Sequence, residues 1–197
     1  MTTWYTADLH FGHTNILVYA SRPWPDVETM NAGLVRRWNA VVAPEDTVWV
    51  LGDVSLTPTK LGPVAELNGR KILVAGNHDA CWSGHRRHTG QVQRYIDAGF
   101  AQVHAGGVVR DHRIGDRLVT LAHFPYHGDH TEQDRYADRR PENDGRPLLC
   151  GHVHDAWQIH DRQINVGVDV WDWTPVPAEN IVRLLDQLDT ATQPALR

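Results

Sequence analysis

Five short segments of the sequence contain side chains that bind metal ions. They carry aspartate, asparagine or histidine, and four of the five directly follow a stretch with the pattern of a β-strand. Strand ends in an α/β fold converge on one edge of the sheet, where ligands bind. We therefore expect these side chains to meet in one site. The segments are Asp8-Leu9-His10, Gly52-Asp53, Gly76-Asn77-His78-Asp79, His123 and Gly151-His152-Val153-His154.

The spacing within the segments indicates how two side chains can share one ion. Asp8 and His10 are two residues apart, as are His152 and His154, and side chains at that spacing lie on one face of an extended chain. The glycine before Asp53 lets the backbone approach an ion closely. Carboxylate, imidazole and amide ligands without a thiolate suit Mn²⁺, Fe²⁺, Zn²⁺, Co²⁺ or Ni²⁺ better than Ca²⁺ or a structural zinc.

The charge of such a site favours phosphate chemistry. Two divalent ions bring four positive charges, and Asp8 and Asp53 return two, so about two positive charges remain. A site of this charge attracts phosphate and acidifies a bridging water. Two metals roughly 3.5–4 Å apart can hold both the attacking and the leaving oxygen of a displacement at phosphorus.

The composition is that of one globular domain. The chain has 197 residues, is 41% hydrophobic and 22% charged, and carries a formal net charge of −5. That charge argues against extended nucleic-acid binding, because affinity for a polyanion rests largely on Lys and Arg. We find no signal peptide and no apolar run that would span a membrane. Cys81 and Cys150 match neither a zinc spacing nor a disulfide framework, which favours a cytoplasmic location.

The elements that position the segments follow from the hydrophobic pattern. In the first half strands alternate with helices, which predicts a parallel sheet with right-handed crossovers. The predicted elements are a strand over 2–7, a short helix over 15–21, a helix from Asp26 to Pro44, a strand over 47–51, a helix from Thr57 to Gly69 and a strand over 71–75.

The second half of the chain has a different pattern. A turn at Gly115-Asp116 joins two predicted strands as a hairpin, and a long polar loop over 124–147 follows, of the kind that is usually functional or mobile. We predict two sheets in contact with helices outside, within a single domain over 1–188. The remaining elements are a helix over 89–98, strands over 101–113, 117–123, 148–150, 157–160 and 163–168, a helix over 178–188 and a frayed tail over 189–197.

Taken together, the five ordered motifs resemble the calcineurin-like metallophosphoesterase superfamily, over residues 4 to about 173. The segments 8–13 and 165–169 are similar to those of its small bacterial and phage members. The resemblance implies an α/β (α+β) fold of four layers, in which two mixed β-sheets pack as a sandwich flanked by helices. It also implies a dinuclear centre of two divalent metal ions, with Mn²⁺ favoured and Fe, Zn, Co or Ni as alternatives.

The same resemblance implies a role for each motif residue. His78 would be the catalytic residue, facing the phosphate and stabilising or protonating the leaving oxygen. Asp53 would bridge the two ions. The other implied ligands are Asp8, His10 and His154 for the first ion and Asn77, His123 and His152 for the second.

One departure from the family narrows the expected substrates. Relatives that dephosphorylate phosphoproteins carry an aspartate three residues after the bridging aspartate, followed by an arginine. Here these positions are Leu56 and Thr57, so His78 lacks its usual carboxylate partner and protein phosphatase activity is disfavoured. Whether Asp79 orients His78 instead is left open.

A few residues outside the motifs are candidates for binding the substrate. His13 and Arg86 are candidate substrate contacts, and Trp171 and Trp173 are candidates for stacking on a base. The remaining histidines are expected to be solvated or satisfied by hydrogen bonds. These are His85, His88, His104, His112, His127, His130 and His160.

We therefore expect a metal-dependent phosphodiesterase that acts on small phosphate esters such as 2′,3′-cyclic nucleotides, by attack of a metal-bridging hydroxide. A phosphomonoesterase or a nuclease is the alternative. A non-enzymatic scaffold is a third hypothesis, which the intact set of ligands disfavours. The oligomeric state does not follow from the sequence.

Overall fold

The described part of the chain, residues 1–131, 133 and 135–192 of a computed structural model, contains ten β-strands and four α-helices. The strands are β1 (Thr3–Thr6), β2 (Thr47–Val50), β3 (Arg70–Val74), β4 (Phe100–His104), β5 (Val108–Ile114), β6 (Arg117–Ala122), β7 (Leu148–Cys150), β8 (Ile159–His160), β9 (Gln163–Asn165) and β10 (Val176–Pro177). The helices are α1 (Ile16–Tyr19), α2 (Val27–Val41), α3 (Val92–Asp97) and α4 (Ala178–Thr192).

The strands form two five-stranded mixed sheets, in the order β10-β1-β2-β3-β4 and β5-β6-β7-β9-β8. In the first sheet β1 to β4 are parallel and β10 pairs antiparallel with β1. In the second sheet β6, β7 and β9 are parallel, and both edge strands are antiparallel to their neighbours. The parallel pairing predicted for the strands of the first half is therefore confirmed.

Alternating side chains show that the two sheets pack face to face. In β2, Trp49 packs into the core that the sheets share, while Val48 and Val50 pack with the helices on the outer face. In β7, Leu149 faces the shared core, and its neighbours face the other side. Ile181 of α4 also enters the shared core. The α/β sandwich with flanking helices is thus confirmed.

Helix α2 forms where the sequence predicts it. The Asp26 carboxylate accepts a 2.7 Å hydrogen bond from the Thr29 amide and so satisfies one of the free N–H groups at the start of the helix. Met30, Leu34 and Trp38 are buried along one face, at the spacing of helical turns. The indole of Trp38 donates to the Asn68 carbonyl at 3.0 Å, which fixes the helix against the segment before β3.

Two predicted elements are wrong. The helix predicted from Thr57 to Gly69 is a pair of short 3₁₀ helices, Pro58–Lys60 and Gly62–Glu66, since Pro63 has no amide proton and Gly62 weakens a helix. The strand predicted over 101–113 is divided into β4 and β5, which belong to different sheets. A turn closed by Gly107, with φ of +74°, separates them.

Other boundaries shift by a few residues. The helix predicted over 89–98 is a 3₁₀ turn, His88–Gly90, followed by α3. Most of the predicted loop over 124–147 is irregular, and its Glu132 and Asp134 lie outside the described residues. Helix α4 continues to Thr192, so residues 189–192 are helical, and the rest of the predicted tail lies outside the described residues. Among the described residues no helix is long and apolar enough to cross a membrane.

Candidate metal centre

All five motif segments lie just after the carboxyl end of a strand, namely β1, β2, β3, β6 and β7. Backbone hydrogen bonds join the first two segments beyond their strands: the Asp8 amide donates to the Gly52 carbonyl at 3.0 Å, and the His10 amide donates to the Asp53 carbonyl at 2.9 Å. The parallel pairing of β1 and β2 therefore continues into the loops and places both segments side by side.

Five of the predicted ligands have a left-handed backbone. Asp8, His10, Asp53, His152 and His154 have φ between 47° and 72°, a region that costs residues other than glycine about 1–3 kcal/mol and is concentrated at functional sites. The extended conformation inferred for the Asp-x-His and His-x-His pairs is therefore wrong. Both members of each pair still reach the candidate centre.

Two groups of predicted ligands converge at the strand ends. One consists of Asp8, His10 and His154, the other of Asp8, Asp53 and His123, and within each group the candidate ligand atoms lie within 4.8 Å of one another. Asn77 and His152 adjoin the second group, since Asn77 Oδ1 lies 3.0 Å from His123 Nε2 and the rings of His123 and His152 are 5.2 Å apart.

Asp53 lies between the two groups. Its Oδ2 is 3.6 Å from His10 Nε2 and 3.4 Å from His123 Nε2. Two atoms bound to one ion at about 2.0–2.2 Å are roughly 3–3.5 Å apart. The spacing around this one carboxylate is therefore suited to an ion on either side.

Hydrogen bonds orient three of the imidazoles. His123 Nδ1 lies 2.9 Å from the Leu51 carbonyl oxygen, and His154 Nδ1 lies 2.9 Å from Asp169 Oδ2. Each contact calls for a proton on Nδ1 and leaves the Nε2 lone pair free to bind a metal, which is the usual arrangement of metal-ligating histidines. His152 is turned the other way, with Nε2 3.4 Å from Asp129 Oδ2.

The residues present fit divalent cations. Among the described residues, the buried Nε2 of His10 has no hydrogen-bond partner, although it points toward Asp8 and Asp53 at 4.0 and 3.6 Å. Burial lowers the pKa of His10 well below its usual range and that of His152 to about 4. Both imidazoles are therefore neutral at neutral pH, as metal binding requires.

The buried carboxylates at the site also favour the binding of a cation. Asp8, Asp53 and Asp79 are each at most 1% exposed. Burial raises the pKa of Asp8 to about 6. For Asp53 the effect of burial is outweighed by His123, and the pKa is held well below its usual range, while the Asp53 charge raises the pKa of His123 to about 9 against the effect of burial. A metal ion in this cluster would replace the proton on the His123 imidazolium as the positive charge beside Asp53.

Two glycines allow the backbone to pass close to the candidate ligands. A Cβ on Gly52, whose φ is +89°, would lie 2.6 Å from His123 Nδ1. A Cβ on Gly151 would lie 2.6 Å from Asp8 Oδ2. Both distances are shorter than real contacts, so a side chain at either position would displace a predicted ligand.

An ion pair that sequence analysis did not find supports His154. Asp169 accepts from Arg22 Nε at 2.9 Å as well as contacting His154, and both side chains of the ion pair are fully buried. Arg22 also donates to the Asp8 carbonyl at 2.6 Å. Asp169 lies in the family-like segment 165–169, which was the available signal, whereas no sequence pattern pointed to Arg22.

Asp129 is a second residue that sequence analysis missed. Its carboxylate is buried and contacts His152, His130 and Arg135. Burial alone would raise the pKa of Asp129, but the hydrogen bonds from His152 and Arg135 prevail and hold it below its usual range. The loop over 124–147 is thereby connected to the centre.

Asp79 does not orient His78. Its carboxylate accepts hydrogen bonds from the amides of Asp53, Val54 and Gly76 at 2.9–3.0 Å. Asp79 therefore ties the loop after β2 to the loop after β3. The His78 amide donates to Asp53 at 2.9 Å, and the His78 ring lies 5.5 Å from that of His10.

A cavity of about 610 Å³ opens over the candidate ligands, a size typical of small-molecule sites. His78 and His13 both line it, and 42% of the His78 side chain is exposed. Arg86 is exposed and does not belong to the lining, whereas Arg135 does. The lining further includes Asn15, Ile16, Tyr19, Leu56, His130, Thr131 and Asp155.

The two candidate stacking residues do not face the cavity. The ring of Trp173 packs edge-on against Trp24 at 4.9 Å and under the guanidinium of Arg22. The Trp171 indole donates to the Asn165 carbonyl at 2.7 Å. Tyr19, which is 72% exposed, is the aromatic residue in the lining.

Most of the other histidines make the hydrogen bonds expected of them. His112 Nε2, for example, lies 2.8 Å from the Tyr5 hydroxyl, and His85 Nε2 lies 2.9 Å from the Asn77 carbonyl. His130 Nδ1 lies 3.0 Å from the His152 carbonyl oxygen, and His130 also lines the cavity. His127 and His160 lie together near Asp161.

Comparison with known proteins places this architecture in a family. The calcineurin-like phosphoesterase superfamily domain matches residues 1–173, which include all the candidate ligands. The Gene 66 protein of Mycobacterium phage L5 is 40% identical over 182 residues, covering 86% of this chain and 87% of that protein. The Gene 66 protein of Mycobacterium phage D29 is 33% identical over 198 aligned positions, covering 94% of this chain and 96% of that protein.

A solved structure has the same fold. The crystal structure of AQ665 from Aquifex aeolicus, a protein of unknown function, superposes with a TM-score of 0.69 at 24% identity and covers 93% of this chain and 98% of that one. At this identity the similarity shows the fold alone.

Proposed function

Since the chain belongs to the calcineurin-like phosphoesterase superfamily, whose members are metal-dependent phosphoesterases, we propose that it is a phosphodiesterase for small esters such as 2′,3′-cyclic nucleotides. Membership supports metal-dependent hydrolysis of a phosphoester. The preference for a small diester rests on the cavity of about 610 Å³ above the candidate ligands and on the residues that form its wall.

The centre would hold two divalent ions, with Mn²⁺ favoured and Fe, Zn, Co or Ni as alternatives. Asp53 would contact both ions, because its Oδ2 lies between His10 and His123. When bound, the ions supply positive charge at phosphorus and lower the pKa of a bound water. The remaining ligands would be Asp8, His10 and His154 for one ion and Asn77, His123 and His152 for the other.

His78 would transfer the proton to the leaving oxygen. Its Nε2 lies 4.0 Å from Asp53 Oδ2, so the ring stands beside the centre rather than within it. Burial lowers the pKa of His78, and the negative charge of a bound phosphate would favour its protonated form. From this position Nε2 can hold a proton where the leaving oxygen departs.

Leu56 is the observation that favours a diester over a monoester. Leu56 lines the same cavity as His78, at the position where phosphoprotein phosphatases of the family carry aspartate. A monoester brings two negative charges near pH 7 and a diester brings one. An apolar wall offers nothing to a second phosphate charge but can pack against the second substituent of a diester.

The test is a comparison of substrates. We expect turnover of bis-p-nitrophenyl phosphate with added Mn²⁺, faster than that of p-nitrophenyl phosphate at equal concentration, and slower cleavage of single-stranded oligonucleotides. Absence of turnover with each of Mn²⁺, Co²⁺, Ni²⁺ and Zn²⁺ would contradict the proposal. Faster turnover of the monoester would establish a phosphomonoesterase, and faster cleavage of the oligonucleotide would establish a nuclease.

A further inference from the structure

The turn between β8 and β9 places a second group of metal-binding side chains away from the cavity lining. Strand β8 ends at His160 and β9 begins at Gln163, and Asp161 in the turn has a left-handed backbone with φ of 54°. His127, from the start of the 124–147 loop, comes up beside this turn, with its ring 4.9 Å from that of His160.

The distances in this group suit one tetrahedral ion. His127 Nε2 and His160 Nε2 lie 3.2 and 3.9 Å from the same Asp161 oxygen, Oδ2. One candidate ligand atom from each of the three residues lies within 4.8 Å of the other two. Two atoms bound at about 2.0–2.1 Å to one tetrahedral zinc are about 3.3 Å apart. Small rotations of exposed side chains would therefore bring all three to an ion.

A buried glutamine holds the two sides of the group together. Gln163 is 1% exposed, and its Oε1 accepts from the amides of Tyr126 and His127 at 2.5 and 3.4 Å. The cationic side chain of the turn is directed elsewhere, since Arg162 donates to Asp189 at 3.0 Å. The group therefore offers one carboxylate and two imidazoles, and Gln163 fixes the backbone segments that carry them.

We propose that His127, His160 and Asp161 bind a zinc ion at a site separate from the candidate metal centre. Three protein ligands leave one position for water, and the exposed side chains, 46% for both histidines and 70% for Asp161, allow the ion to enter from solvent. Two imidazoles and a carboxylate are a common set for Zn²⁺. The site does not depend on the proposed hydrolysis.

An ion at this site would reduce the mobility of the loop that forms part of the cavity wall. His127 precedes Asp129 by two residues, and Asp129 contacts His152 Nε2 at 3.4 Å. Zinc binding ties the first residues of this loop to the β8–β9 turn. The segment over 124–131, which carries Asp129 and His130 to the cavity, is then less mobile.

The experiment compares zinc content between variants that leave the candidate ligands intact. Wild type, His160→Gln, Asp161→Asn and His88→Gln are equilibrated with ZnCl₂ and desalted, and zinc per chain is measured by atomic emission. His88 is the control, a half-buried histidine in another segment. We expect one equivalent less in the His160 and Asp161 variants and no change in the His88 variant.

Affinity and mobility provide a second measurement. Competition with a chromophoric chelator should show that the zinc affinity of one site falls at least 10–100-fold in His160→Gln. Changing a residue that only orients a metal ligand already lowers metal affinity by about this factor, and His160 would be a ligand itself. Hydrogen exchange over 124–131 should slow on zinc addition in wild type more than in His160→Gln. Equal zinc content in wild type and His160→Gln, or an equal loss in His88→Gln, would overturn the proposal.

Discussion

The strand-end loops and the 124–147 loop both contribute to the cavity, but they are held in different ways. The candidate ligands at the strand ends are buried, and backbone hydrogen bonds and the buried Arg22–Asp169 pair fix them. The cavity side of the 124–147 loop depends on contacts between side chains, chiefly Asp129 with Arg135, whose side chain is 36% exposed.

This difference suits the two regions to different tasks, metal binding at the strand ends and substrate binding at the cavity mouth. A dinuclear site tolerates little displacement of its ligands, since a shift of about 1 Å can cost on the order of 100-fold in rate. A loop held by partly exposed ion pairs can vary in sequence and conformation at lower cost. We therefore expect changes at the strand ends to affect metal binding and turnover, and changes around the cavity mouth to affect substrate affinity.

Substitution of His78 should have the largest effect. In His78→Ala we expect kcat for bis-p-nitrophenyl phosphate to fall about 10²–10⁴-fold, the usual contribution of a positioned acid or base. Both metals should remain bound, because His78 lies beside the centre. His88→Ala, a half-buried histidine outside the main cavity lining, is the control. Unchanged turnover in His78→Ala would refute the role of His78.

Asp169→Asn should weaken metal binding by about 10–100-fold, since Asp169 orients His154 in the manner of other residues behind metal ligands. Titration of metal-stripped protein with Mn²⁺ measures this directly. Asp155→Asn is the matched control, because Asp155 is an exposed carboxylate in the cavity lining. If both variants bind Mn²⁺ like wild type, the strand-end region is less dependent on its supporting contacts than we argue.

Arg135→Ala should raise KM for a diester about tenfold, with metal content unchanged. A hydrogen bond to a charged group contributes about 1.5–3 kcal/mol, and the partial exposure of Arg135 places the effect at the low end. Arg86→Ala provides the comparison, since Arg86 lies outside the cavity lining. A larger effect in Arg86→Ala would show that Arg86, the arginine expected from the sequence, contacts the substrate in place of Arg135.

Tyr19→Ala should have the smallest effect, about a fivefold increase in KM for a 2′,3′-cyclic nucleotide. Stacking of a base on an aromatic ring contributes about 1–3 kcal/mol, and Tyr19 is 72% exposed. Tyr19→Phe retains the ring and should behave like wild type. If the two variants show equal KM values, the aromatic ring does not bind the base.

The sequence predicted the strand-end region well because its information is local. Each candidate ligand follows an apolar strand, and parallel strands bring their carboxyl ends together regardless of the details of the loops. The same local reasoning failed for the backbone of Asp8 and His10, which is left-handed rather than extended. A spacing of two residues does not reveal a left-handed backbone.

The supporting residues were not predictable in this way. Arg22 and Asp169 are 147 positions apart in the chain and meet only in the folded protein. Asp129 is one of several acidic residues in a polar loop, and nothing in its neighbourhood distinguishes it. The division of 101–113 between two sheets likewise depends on tertiary pairing, which overrides local strand preference.

The central claim is that the strand-end residues form a dinuclear centre around Asp53. The most direct measurement is a crystal structure of Mn²⁺-loaded protein with anomalous scattering recorded for manganese. We expect two peaks roughly 3.5–4 Å apart, one on either side of Asp53, with His10 and His154 at one and His123 and His152 at the other. A single peak, or peaks that do not contact Asp53, would contradict the account.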